Sequence, residues 1–182
     1  MATQEFTPSL QKVLDKVKNW ARVNSPWAIH FNSGSCNGCD IQILATLTPR
    51  YDVERFGIKL QGSPRHADVL FCTGPVTMQA RDALLRTYEQ MPEPKFVIAV
   101  GSCGLSGGVF HGCYNIVGGI NELLPVDVFV PGCPPRPEGI IYGVAVLLEA
   151  MKTGKRPQPV HWSEFEAGGE LPDEKMKEEQ NG

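Results

Sequence analysis

The chain lacks a run of apolar residues long enough to cross a bilayer. Its longest such stretch, Gly139 to Leu148, falls far short of a span, which needs ~20 residues. It also lacks a basic excess. Seventeen Lys and Arg stand against 20 Asp and Glu, for a net charge of -3, which excludes the chain-wide electrostatic footprint of a nucleic-acid binder. Met1 to Pro8 does not couple a basic start to an apolar run, so no secretory signal is expected. The expected compartment is therefore reducing, where thiols stay free. The glycine-rich stretch "GSCGLSGG" has no Lys-Ser/Thr, so the phosphate cradle of a P-loop is missing. No nucleophile with its base and no acid–base pair emerges from the spacing.

What is present is an ordinary globular composition, 42% hydrophobic and 20% charged over 182 residues, enough for one domain with a real core. Glycine (19) and proline (15) are plentiful, which predicts many tight loops. Four short apolar runs, Trp27–Phe31, Ala67–Thr73, Phe96–Val100 and Val126–Val130, read as buried strands. Helical patterns over Ile41–Thr48, Met78–Gln90, Asn115–Leu124 (the weakest) and Glu138–Lys152 separate most of them. Tyr51–Leu60 is a candidate short edge strand. Alternating strand and helix predicts an α/β fold, a parallel sheet with helices on both faces and right-handed crossovers.

Before the first strand, Phe6, Leu10, Val13, Leu14, Val17 and Trp20 share one helical face. This N-terminal amphipathic helix, within residues 1–24, is expected to pack on its own domain, with a partner- or membrane-facing helix as the alternative. The central domain is placed at 25–154. The "GKRPQP" break opens a C-terminal tail at 155–182, where seven acidic residues from His161 onward face two lysines. Such a segment reads as a solvated acidic tail, or as a strap on a neighbouring subunit.

Six cysteines in a reducing compartment point to metal or redox chemistry, not to a disulfide frame. Cys36 and Cys39 lie in the loop after the first strand, Cys103 just past Phe96–Val100, and Cys133 just past Val126–Val130. Ligands of open parallel sheets bind beyond the carboxyl ends of strands, so three loops are expected to bring four thiols to one edge. Gly34, Gly38, Gly101, Gly104 and Gly132 flank them and allow close backbone approach. Four thiolates suit either tetrahedral zinc or an iron–sulfur cluster. A single CxxC with two distant lone cysteines favours [4Fe–4S] over zinc, whose sites more often use two CxxC knuckles. Cys72, inside "ADVLFCTG", reads as a small buried hydrophobe. Cys113, in "FHGCYN", reads as a bystander.

The segments "SGSCNGCDIQIL", "GSPRHADVLFCTGPVT", "VIAVGSCGLSGG" and "VPGCPPRPEGIIYGV" resemble the small subunit of membrane-bound, energy-converting [NiFe] hydrogenases. The B-type (20 kDa) subunit of complex I and the matching subunit of sulfur-reducing membrane complexes share the pattern. The resemblance covers roughly residues 20–153. It implies a flavodoxin-like domain with one [4Fe–4S] cluster on Cys36, Cys39, Cys103 and Cys133, nearest an active site in a separate large subunit. It implies further partners: a ferredoxin-like iron–sulfur subunit and membrane-arm subunits. The implied location is peripheral, on the cytoplasmic face of the cell membrane. Complex I-type chains have adjacent cysteines where this one has Cys36-Asn37-Gly38-Cys39, the form of the hydrogenase group. Electron delivery to quinone, or to a sulfur compound, is the alternative.

One departure is Gln42, where the family has a glutamate. An amide does not ionise, so proton relay through that position is in doubt, and Asp40 is not assigned the role. Arg65 and His66 precede a strand and read as a surface turn with a salt bridge; the resemblance suggests the rival reading of charges near the cluster at the large-subunit interface.

Overall fold

The structure is a computed structural model and describes residues 8–153, except for the side chains of residues 8–12 and 15. The expected tail at 155–182 and the start of the N-terminal segment lie outside the described residues. Among the described residues seven strands follow one another: β1 (Trp27–Asn32), β2 (Lys59–Leu60), β3 (Val69–Thr73), β4 (Val76–Thr77), β5 (Phe96–Val100), β6 (Ile116–Gly118) and β7 (Val128–Val130). The α-helices are α1 (Pro8–Asn24), α2 (Gly38–Thr46), α3 (Met78–Gln90), α4 (Ser102–Ser106) and α5 (Pro137–Thr153).

Five strands form one sheet in the order β2-β1-β3-β5-β7, with every neighbouring pair parallel. This is the flavodoxin-like order. Both β3 (VLFCT) and β5 (FVIAV) are buried at every residue. That is why their sequences are apolar without alternation: helices cover both faces of the sheet. Side-chain alternation along the strands divides the core in two. Phe71, Ile98, Val100 and Val130 pack with Ile43 of α2 and Ile140, Val144 and Leu147 of α5. On the other face Leu70, Cys72, Val97 and Ala99 pack with Leu84 of α3 and with Ile120 and Leu124. Thr77 starts α3 as a cap, its Oγ1 accepting from the Ala80 amide at 3.3 Å.

Three expectations are corrected. Tyr51–Leu60 is mostly a 3-10 turn at Val53–Phe56, and only Lys59–Leu60 pairs, at the sheet edge. Asn115–Leu124 is not a helix. Ile116–Gly118 pairs antiparallel with Val76–Thr77, and a 3-10 turn follows at Ile120–Glu122. Gly118 and Gly119 cut the helical pattern, and the long-range partner strand decides the outcome. Finally, α1 forms, but the described part of its apolar stripe is not buried on the domain; Phe6 and the side chain of Leu10 lie outside the described residues. Val13 is 58%, Val17 55% and Trp20 69% exposed. Near its end Val23 packs on the core and Arg22 pairs with Asp68 at 3.2 Å.

Candidate metal centre

The chain runs from β1 to edge strand β2 and then crosses back to β3 on the other side of β1. This reversal opens a crevice past the carboxyl ends of the strands. Cys36 and Cys39 follow β1, Cys103 follows β5, and Cys133 follows β7. All four expected ligands therefore sit on the same edge of the sheet.

Backbone bonds join the segments after β5 and β7. The Gly101 amide donates to the Val130 carbonyl and the Ser102 amide to the Gly132 carbonyl, both at 2.8 Å. The Ser102 hydroxyl also donates to the Gly132 carbonyl at 3.2 Å. The loop after β1 is shaped by Asn32, whose Oδ1 accepts from the Gly34 and Ser35 amides at 2.9 and 2.8 Å. Buried Ser33 donates to the Thr73 carbonyl at 2.8 Å and ties that loop to β3. The close fit has a sequence reason at Gly101. Its φ is +91°, and a Cβ there would lie 2.5 Å from the Cys39 sulfur. Gly108 (φ +54°) lies close to Cys103, where a Cβ would meet the sulfur at 2.9 Å. Beside Gly38 lie the Cys36 sulfur and Pro134, 3.6 and 3.7 Å from where its Cβ would stand. The Cys133–Pro134 peptide is cis.

The thiols feel one another. Burial pushes Cys39 up to about 11, and the negative charges of Asp40, Cys103, Cys36 and Cys133 add to the rise. Cys103 is raised by burial, then by Cys133 and Cys36, while the Val109 amide bonded to it pulls the other way. Four mutually repelling thiolates are a poor arrangement alone and a good one around a cationic metal core. Among the described residues, no three His, Cys, Asp or Glu side chains close on one point as ligands of a single ion would. By its chemistry, a set of four thiol donors past one edge of the sheet suits a cuboidal cluster, which offers each thiolate its own iron corner.

The remaining residues fall elsewhere. Cys72 is fully buried in β3, and desolvation alone raises it. Cys113 is exposed. Gln42 is half-buried on α2. Arg65 and His66 are exposed in a 3-10 turn ahead of β3, at the amino edge of the sheet, opposite the cysteines. The surface-turn reading holds, though the ion pair nearby belongs to Arg22 and Asp68. Sequence reasoning did not find the bonds that Asp40 makes. Its Oδ1 accepts from His30 Nε2 at 2.8 Å and from the Thr73 hydroxyl at 2.5 Å, and its Oδ2 accepts from Asn32 Nδ2 at 2.6 Å. The polar residues interrupting the apolar β1, His30 and Asn32, were the available signal.

The profile of the NADH ubiquinone oxidoreductase 20 kDa subunit family matches residues 36–147, and the chain belongs to this family. A probable membrane-bound hydrogenase subunit, mbhJ, of Pyrococcus furiosus is 59% identical over 127 residues, covering 70% of this chain and 76% of the relative. The B-type subunit of the NADH-quinone oxidoreductase of Carboxydothermus hydrogenoformans is 50% identical over 131 residues, covering 71% of this chain and 77% of the relative. Among solved structures, a chain of the membrane-bound sulfane sulfur reductase, an archaeal respiratory membrane complex, superimposes with a TM-score of 0.69. It is 38% identical, over 82% of this chain and 81% of that one. The protein is thus an oxidoreductase subunit whose relatives work in membrane complexes, and among the described residues no helix is long and apolar enough to cross a membrane.

Proposed function

We propose that this member of the 20 kDa-subunit family is the electron-relay subunit of a membrane-bound, energy-converting hydrogenase-type complex. In this reading Cys36, Cys39, Cys103 and Cys133 hold one [4Fe–4S] cluster beside an active site in a partner large subunit. When bound, such a cluster accepts and releases single electrons at a potential its surroundings set. The observation that carries the reading is the meeting of three loops, after β1, β5 and β7, with thiols close enough to raise one another.

The chain's own residues supply ligation, close packing and a docking rim. Gly101 and Gly108 keep the backbone against two sulfurs. Cys39 lies in the first turn of α2, where the positive end of the helix dipole favours thiolate charge. Around the same edge Ile41, Met78, Val109 and Phe110 are exposed, an apolar collar suited to a large subunit that shields the centre from water. A ferredoxin-like subunit as donor and a membrane arm complete the assembly, placed on the cytoplasmic face. Gln42 cannot carry protons as a carboxylate would, so no proton route is assigned to this position.

The C-x-x-C form of the first pair favours the hydrogenase branch. Similarity to the NADH-quinone oxidoreductase relative and to the sulfane sulfur reductase supports a second reading, in which the same ligands serve quinone or a sulfur compound. Nickel analysis of the purified complex separates them. Stoichiometric nickel with hydrogen evolution from a reduced ferredoxin supports the first; a nickel-free complex reducing quinone or sulfane sulfur supports the second. A colourless chain with one zinc would retire both. Released flavin would point instead to a flavodoxin-type carrier.

A further inference from the structure

Directly after Cys39 stands a carboxylate with unusual support. Asp40 is largely buried, with 13% of its side chain exposed, and His30 beside it is 25% exposed. Three side chains from two strands bond to it: His30 and Asn32 of β1, and Thr73 of β3. A carboxylate that accepts three bonds from sheet residues has little freedom to turn away. Asn32 also holds the loop that carries Cys36, through the Gly34 and Ser35 amides and through its Nδ2, which donates to Asn37 Oδ1 at 3.3 Å. The sheet thus fixes the position of a negative charge one residue from a ligand sulfur. Among the charges felt at Cys39, that of Asp40 ranks first, ahead of the other three thiols.

We propose that Asp40 is a positioning residue for electron transfer: a fixed negative charge, held by His30, Thr73 and Asn32, that lowers the reduction potential of the cluster on Cys36, Cys39, Cys103 and Cys133. This rests on the cluster reading above. The physical reason is Coulombic. Reduction adds one electron, and so one unit of negative charge, to an already anionic thiolate-ligated centre. A neighbouring carboxylate in a partly desolvated site makes that addition less favourable. A lower potential makes the reduced relay a stronger donor, which suits the hydrogen-evolving direction. The bonds to His30, Thr73 and Asn32 offset the cost of holding the carboxylate there.

The test compares charge with geometry in the purified complex. Asp40→Asn keeps the size and removes the charge. Thr73→Val keeps the charge and removes one bond. Midpoint potentials are measured by EPR-monitored redox titration, on the signal that Cys103→Ser abolishes, with iron content measured alongside. Expected is full iron in both variants, an upward shift of the midpoint in Asp40→Asn, and a midpoint near wild type in Thr73→Val. If Asp40→Asn does not load iron, His30→Lys decides, because a cation against Asp40 must also raise the midpoint. An unchanged or lowered midpoint in the loaded variant, or a shift in Thr73→Val as large as in Asp40→Asn, overturns the proposal and leaves the cluster reading intact. A wild-type chain without iron removes both.

Discussion

Cys72 and Cys39 belong to the same fold and have opposite surroundings. Cys72 sits mid-strand in β3, fully buried among Leu70, Val97, Ala99 and Leu84, and burial alone raises its thiol. Cys39 opens α2 at the rim, 8% exposed, and there burial acts together with Asp40 and three other thiols. The interior therefore uses sulfur as a small apolar volume, which packs well and titrates poorly. The rim gathers four thiols whose thiolate charges would repel one another unless a cationic centre offset them. The difference comes from topology: a residue within a parallel strand meets helices, whereas a residue just past its carboxyl end meets other loops.

The largest expected contrast follows from that. Cys103→Ser and Cys133→Ser should each remove most of the iron from the purified complex, while Cys72→Ser should leave iron content at wild type. Equal iron loss from Cys72→Ser breaks the distinction. Glycines sharpen it next. Gly101→Ala puts a Cβ against the Cys39 sulfur at a positive φ, so it should impair iron loading and cost about 1–3 kcal/mol in thermal or denaturant unfolding. Gly62→Ala, with open space around it, should change neither. In the interior, Cys72→Ser buries a hydroxyl without a ready partner and should lower stability by about 1–3 kcal/mol with iron retained.

A smaller effect concerns pH in the metal-free chain. Cys39 has an ordinary value of 9.0 and a folded value of about 11. The folded chain keeps a proton that the unfolded chain gives up in that window, so stability is full below pH 9.0 and falls as pH rises toward about 11. Cys39→Ala should flatten part of that fall in pH-dependent melting curves; Cys72, raised more strongly, contributes in the same direction.

Much of this was legible in the sequence because buried parallel strands are nearly all apolar. The runs at Ala67–Thr73 and Phe96–Val100 contain β3 and β5 within two residues at either end. The lone cysteines could be placed past the carboxyl ends of strands because each follows such a run, although Cys103 stands in the short helix α4 and not in a loop. Features that depend on distant partners were not legible. Ile116–Gly118 has too few residues to announce a strand, and its pairing with Val76–Thr77 exists only after the chain has folded. The apolar face of α1 signals a helix correctly, but periodicity does not say what covers that face, and Val13, Val17 and Trp20 stay exposed. The bonds from His30 and Thr73 to Asp40 cross from the sheet to α2. No local pattern reports such a meeting.

The most direct measurement is metal content, with EPR before and after reduction, on the anaerobically purified complex carrying either wild-type chain or Cys103→Ser. Four more irons per complex in the wild type than in the variant, with one reducible signal lost, is the result expected if four rim thiols enclose a cubane. The same iron and the same signals in both would contradict it.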